Sequence, residues 1–152
     1  WKQTEEGAAL RRVQADLMRE FSGSIIEAAR DMVPKAFPGI GAEGNPLHGE
    51  RRNDAFYEEL EELLRLCQYA TAIGAPSFTD PEAASELRDL FRELNIPPIV
   101  AAEALRAMQK RACFLGQMSR EAPNCWPACI APFERVAADL EGPGGEEAIV
   151  LD

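Results

Sequence analysis

One histidine, His48, stands among 152 residues, and its isolation removes several chemistries at once. No Ser-His-Asp set can be assembled convincingly around it, and an imidazole-based metal site would have to complete itself with cysteines. The four cysteines, Cys67, Cys113, Cys125 and Cys129, are too sparse for a disulfide scaffold in a chain of this length. No apolar run approaches the roughly 20 residues of a membrane span, so no direct membrane insertion is expected. No signal peptide is visible, although a chain starting at Trp1 can have been trimmed. Positive charge is also scarce. Lys plus Arg is 16 against 26 for Asp plus Glu, a net charge of −10. Nucleic-acid binding needs a basic stripe to neutralise phosphates, and an anionic membrane face repels such a chain. Alternating strands, a 20- to 50-residue repeat and a sustained heptad are all missing. Gly39-Ile-Gly-Ala-Glu-Gly44 comes after a helical stretch rather than linking a strand to a helix, so it is no phosphate loop.

What remains is helical periodicity in a chain that is 46% apolar. A first stretch runs from about Glu5 through Leu17, Phe21, Ile25, Ala28 and Met32, with Val33-Pro34 and Phe37-Pro38-Gly39 as its stops and Gly23 as a possible bend. Residues 38 to 50 read as a loop. A second helix, capped by Asn53 or Asp54, puts Phe56, Leu60, Leu63, Leu64, Cys67 and Thr71 on one face and Glu58, Glu59, Glu61 and Glu62 on most of the other, ending at Gly74. Thr79-Asp80-Pro81 starts a third, with Ala84, Leu87, Phe91 and Leu94 inward. The fourth runs from about Pro98 to Phe114 or beyond on Ala101, Leu105, Met108 and Ala112. A fifth, from about Cys125 to Leu140, uses Ile130, Phe133, Val136 and Leu140. Five or six main helices make a single all-α domain, and the acidic, Gly-rich end reads as a tail or a docking segment.

Three stretches together resemble the phycobiliproteins, the globin-like bilin carriers of phycobilisomes. Residues 22–38 resemble that family's helix ending in a Lys-x-Phe-Pro corner. Residues 62–81 resemble its Tyr-Leu-Arg-x-x-x-Tyr-x-x-x-x-Gly pattern through Leu64, Arg65, Tyr69 and Gly74. Residues 93–122 resemble its Pro-marked break and Ala-rich helix. The resemblance implies a globin-like domain over 17–140, a shortened N-terminal helical extension over 1–16 and an acidic tail over 141–152. It implies a light-harvesting role without catalysis, at the cytoplasmic or plastid stromal face of the thylakoid. The implied partners are other phycobiliprotein or linker subunits in an oligomeric assembly. The implied cofactor is a linear tetrapyrrole, phycoerythrobilin or phycocyanobilin, or none where the chain is a structural subunit. Family members hold their main bilin through a Cys-x-Arg-Asp motif. Here those positions are Phe56, Glu58 and Glu59. A Glu in place of Arg removes a bidentate partner for the bilin propionates and adds repulsion. The family's N-terminal hairpin, used to form its α–β dimer, is also short by a helix.

The candidate site therefore moves. Residues 110–119 resemble the second bilin-attachment region of phycoerythrin α chains, with Arg111, Cys113, Met118 and Ser119 on the matching positions and Cys129 aligned with a further Cys once two extra loop residues are allowed. The residues themselves are compatible. Arg106 and Lys110 lie seven and three residues before Cys113 on one helical stripe, where cations favour a thiolate and can pair with propionates. The expected cofactor-binding set is Cys113, Arg111, Lys110 and Arg106. The competing reading is a surface thiol among ordinary cations. A Cys₃His zinc site from Cys113, Cys125, Cys129 and His48, a disulfide among the C-terminal cysteines, and haem ligation by His48 are weaker alternatives. The alternatives to the light-harvesting reading are a non-covalent bilin carrier linked to bilin metabolism and a pigment-free globin-like sensor or scaffold domain.

Overall fold

A computed structural model describes residues 5–75, 80–118 and 126–142, and the side chains of all of these except 5, 6 and 126–130. They form six helices: α1 (Glu5–Glu20), α2 (Ser22–Ala36), α3 (Glu50–Ile73), α4 (Pro81–Glu93), α5 (Pro98–Met118) and α6 (Trp126–Glu141). Among the described residues there is no strand.

The first helical stretch is two helices. The backbone leaves helical geometry at Phe21 (φ −99°, ψ 17°), and the turn moves the buried stripe by one residue. Met18, Ile25, Ala29 and Val33 are buried, whereas Phe21 is 38% exposed. Pro34 does not end α2. A proline forfeits one helical hydrogen bond, here the one toward Arg30, and the helix continues to Ala36. It stops where the Phe37 N–H bonds the Val33 carbonyl at 2.9 Å. The next loop packs inward: Ile40 and Leu47 are buried and joined by a backbone bond, and Asn45 Nδ2 donates to the Gly39 carbonyl at 2.6 Å.

α3 begins at Glu50, earlier than Asn53 or Asp54, because Gly49 at φ 87° turns the chain there. Its whole expected face, Phe56 through Thr71, is buried. At its other end Gly74 adopts φ 74°. The Gly74 N–H bonds the Thr71 carbonyl and the Ala75 N–H bonds the Ala70 carbonyl, which is a Schellman closure. α4 starts where expected, with Asp80 Oδ1 accepting from the Ala83 N–H at 2.7 Å and Pro81 in the first turn. Leu94, expected inward, is 37% exposed, since the helix has ended by then. Asn95 in the left-handed region (φ 59°) reverses the chain, and Ile96 takes the core position at 2%.

α5 is the centre of the fold. Val100, Ala101, Ala102, Ala104, Leu105, Met108 and Ala112 are all buried, and the small alanine surface lets α2 and α6 pack on it from two sides. α1 crosses α3, and α4 covers α6. Phe133, Val136, Ala137 and Leu140 bring α6 into the same core.

Gly74 is the most exacting backbone position in α3. Gly74→Ala puts a Cβ in the left-handed region, which costs about 1–2 kcal/mol. A thermal melt should show the loss, with the far-UV helical signal at 20 °C unchanged.

Candidate functional site

Position 56, which the resemblance aligns with a Cys-x-Arg-Asp motif, lies in the interior. Phe56 is fully buried, with its ring edge-on to Phe91 at 6.3 Å and to Tyr57 at 5.0 Å. Tyr57 in turn carries the Arg30 guanidinium over its face at 4.3 Å, and burial pushes its phenol above the usual range. Two and three residues on, Glu58 is exposed and Glu59 half-buried. No sulfur is offered here, and both carboxylates bear the sign of a propionate. The residues at this position do not fit a covalently held bilin.

The four expected binding residues sit on one helix but not on one face. Cys113 is a free, half-buried thiol whose sulfur lies 3.9 Å from Gln117 Nε2. Lys110, one turn earlier, is exposed. Arg111 points to the far side and donates to Ser24 Oγ of α2 at 3.2 Å. Arg106 is committed to α6. It pairs with Glu103 at 3.1 Å, with Glu134 at 3.5 Å and with Glu141, and the hydrogen bond to Glu141 leads the causes that raise its pKa further. The structure thus brings Lys110 beside Cys113 and draws the two arginines toward different helices. Cys125 and the Cys129 side chain lie outside the described residues. Among the described residues no group of three or more His, Cys, Asp or Glu could hold a metal. His48 is exposed in the loop, its Nδ1 3.2 Å from the Gly41 carbonyl. Cys67 is wholly buried, and burial pushes its thiol up, so it stays protonated and inert.

A second feature was not foreseen. Beside the start of α3, one residue from Phe56, opens a groove of about 270 Å³ lined by Arg51, Arg52, Ala55, Leu94 and Ile96. Among the described residues neither guanidinium meets a carboxylate. In an acidic chain, two adjacent arginines at a helix start are a signal that could have been read. The outward turn of Leu94, which supplies the apolar wall, could not. A larger groove of about 360 Å³ lies between the α1–α2 corner and α3, but its arginines, Arg19 and Arg65, are paired with Asp16 and Glu62.

The comparisons with known proteins agree with this architecture. The sequence matches the family described as "Phycobilisome protein" over residues 3–140. The chain belongs to the phycobilisome protein family. It is 26% identical to a C-phycoerythrin class 1 α subunit from Synechococcus sp. (strain WH7803), over 77% of this chain and 71% of that one. It is 30% identical to a C-phycocyanin-2 β subunit of another Synechococcus strain, and that match covers 60% of this chain and 52% of the other. With allophycocyanin α chain 2 of Microchaete diplosiphon it shares 26%, over 65% of this chain and 62% of that one. Among solved structures, a far-red fluorescent biliprotein derived from an allophycocyanin F subunit of Chroococcidiopsis thermalis superposes with a TM-score of 0.80. The identity there is 20%, over 90% of this chain and 99% of that one, which establishes the shared globin-like phycobiliprotein fold.

Glu59 gives the region a pH signature. Burial raises its carboxyl above the usual glutamate range, and the Glu62 charge raises it further. A group with a raised folded pKa contributes stability that is complete below its unfolded value and is lost as pH rises through the folded one. Glu59→Gln should therefore melt above the parent protein at pH 7, and the two melting temperatures should converge below about pH 4.

Proposed function

We propose that this chain is a light-harvesting subunit of a phycobilisome or a related pigment–protein assembly, and that it carries a linear tetrapyrrole on Cys113 rather than at the family's usual position. It is a pigment protein rather than an enzyme, working with other phycobiliprotein and linker subunits at the thylakoid surface. No helix among the described residues is long and apolar enough to cross a membrane. The observation that carries the reading is the exchange of roles between two positions. The position that the resemblance aligns with the attachment cysteine is given to core packing by Phe56, while Cys113 is a free, half-buried thiol on α5.

Cys113 Sγ would add its S–H across an exocyclic double bond of the bilin, forming an S–C bond while the thiol proton goes to the neighbouring carbon. Lys110 would meet a propionate one turn away. Arg106 would have to leave three glutamates to join them, so its part is to hold α6 against α5, and Arg111 similarly ties α5 to α2. The bound bilin supplies visible absorption, and a rigid helical frame limits the loss of excitation as heat.

A second reading, non-covalent bilin binding, is favoured by the Arg51–Arg52 groove. Its apolar wall and two available cations suit a propionate arm. At about 270 Å³ it holds part of such a molecule, since small-molecule sites span about 300–1,000 Å³.

Expression in cells that make bilins, and then a denaturing gel with zinc-induced fluorescence, separates the readings. The proposal expects a fluorescent band that Cys113→Ser abolishes. Colour in the native protein that is lost on denaturation supports the groove. A colourless chain that purifies with phycobiliproteins is a structural subunit.

A further inference from the structure

The groove at Arg51 and Arg52 matches a segment of the chain itself. α6 ends at Glu141, and the next residue, Gly142, lies against Arg88 of α4: a Cβ there would stand 3.6 Å from Arg88 Cδ. The Arg88 guanidinium also donates to the Asp139 carbonyl, fixing the end of α6 on α4. From Arg88 to Leu94 the run along α4 is about 9 Å at 1.5 Å per residue, with about a third of a turn round the helix. The chain beyond Gly142 reads Pro143-Gly144-Gly145-Glu146-Glu147-Ala148-Ile149-Val150-Leu151-Asp152. An extended chain covers about 3.3 Å per residue, so the spacer 143–145 spans about 10 Å, on the order of that run, and the long Glu and Arg side chains close the rest of the gap. Pro143-Gly144-Gly145 is the composition of a spacer. Glu146 and Glu147 then precede four apolar residues, Ala148 to Leu151.

We propose that residues 146–151 dock intramolecularly in this groove, with Glu146 and Glu147 on Arg51 and Arg52 and the apolar run against Ala55, Leu94 and Ile96. Two cations without carboxylate partners among the described residues sit beside an apolar wall, and the tethered segment carries two carboxylates beside an apolar run. A second copy is a poorer occupant, because two chains of net charge −10 repel, whereas the tether supplies a high effective concentration. The inference does not depend on a pigment, and its test uses pigment-free protein.

The test is amide hydrogen exchange on the full chain and three variants: Arg51→Glu/Arg52→Glu, Glu146→Lys/Glu147→Lys, and all four substitutions together. Docking predicts that amides of 146–151 exchange more slowly than in a free peptide of the same sequence. Each double reversal should speed them by about tenfold, and the fourfold charge swap should restore protection. Circular dichroism checks that each variant keeps its helices. Free-peptide rates in the parent protein overturn the proposal. So does protection that ignores both reversals. Protection that grows with protein concentration also overturns it, since that places the segment on another copy.

Discussion

Phe56 and its neighbour Tyr57 together tie three helices. The Phe56 ring packs edge-on to Phe91, which fastens α3 to α4, and Tyr57 lies under the Arg30 guanidinium of α2. An aromatic side chain in such a place buries about 150–250 Å², and truncating a core Phe costs about 3–5 kcal/mol. The resemblance to the family's Cys-x-Arg-Asp motif aligns this position with a cysteine. A side chain cannot be both a fully buried aromatic and a reactive surface thiol. Once position 56 serves packing, any covalent attachment has to be found elsewhere on the same frame.

The charges obey a parallel logic. The net charge of −10 leaves cations in demand, and most of the described arginines are engaged locally. Arg19, Arg65 and Arg92 pair with carboxylates three residues earlier. Such exposed pairs add little stability. Arg106 differs, because its partners come from two helices and its side chain is only 26% exposed. It serves as a clamp between α5 and α6 and not as a receptor for anions. Among the described residues the cations without a carboxylate partner include Lys35 at the end of α2, Lys110 beside Cys113, and Arg51 with Arg52 at the start of α3. The acidity of the chain thus narrows the places where an anionic pigment can sit.

Much of the fold was legible in the sequence, for local reasons. Asp80-Pro81 and Gly74 act through their own backbone geometry, so cap and stop stand where the residues say. The inward faces of α3 and α5 come from spacing alone. The misplacements have a common cause in tertiary packing. A break at Phe21 shifts the stripe of α1 and α2 by one residue. Pro34 is carried through because a single lost bond near a helix end is tolerable. Asn95 exchanges Leu94 for Ile96 in the core. The candidate site was legible only in part. Sequence spacing placed Lys110 near Cys113, but whether an arginine faces a ligand or a glutamate on another helix is decided by how α5 meets α6 and α2. The Arg51–Arg52 groove needs the outward turn of Leu94, which no local pattern announces.

The central claim is that chemistry lost at position 56 has moved to Cys113. Peptide mapping by mass spectrometry of natively purified, pigmented protein tests it most directly. The account predicts that the tryptic peptide Ala112–Arg120 carries one bilin mass on Cys113. The unmodified peptide in coloured protein whose pigment remains bound through denaturation, with the adduct on Cys67, Cys125 or Cys129 instead, would contradict it.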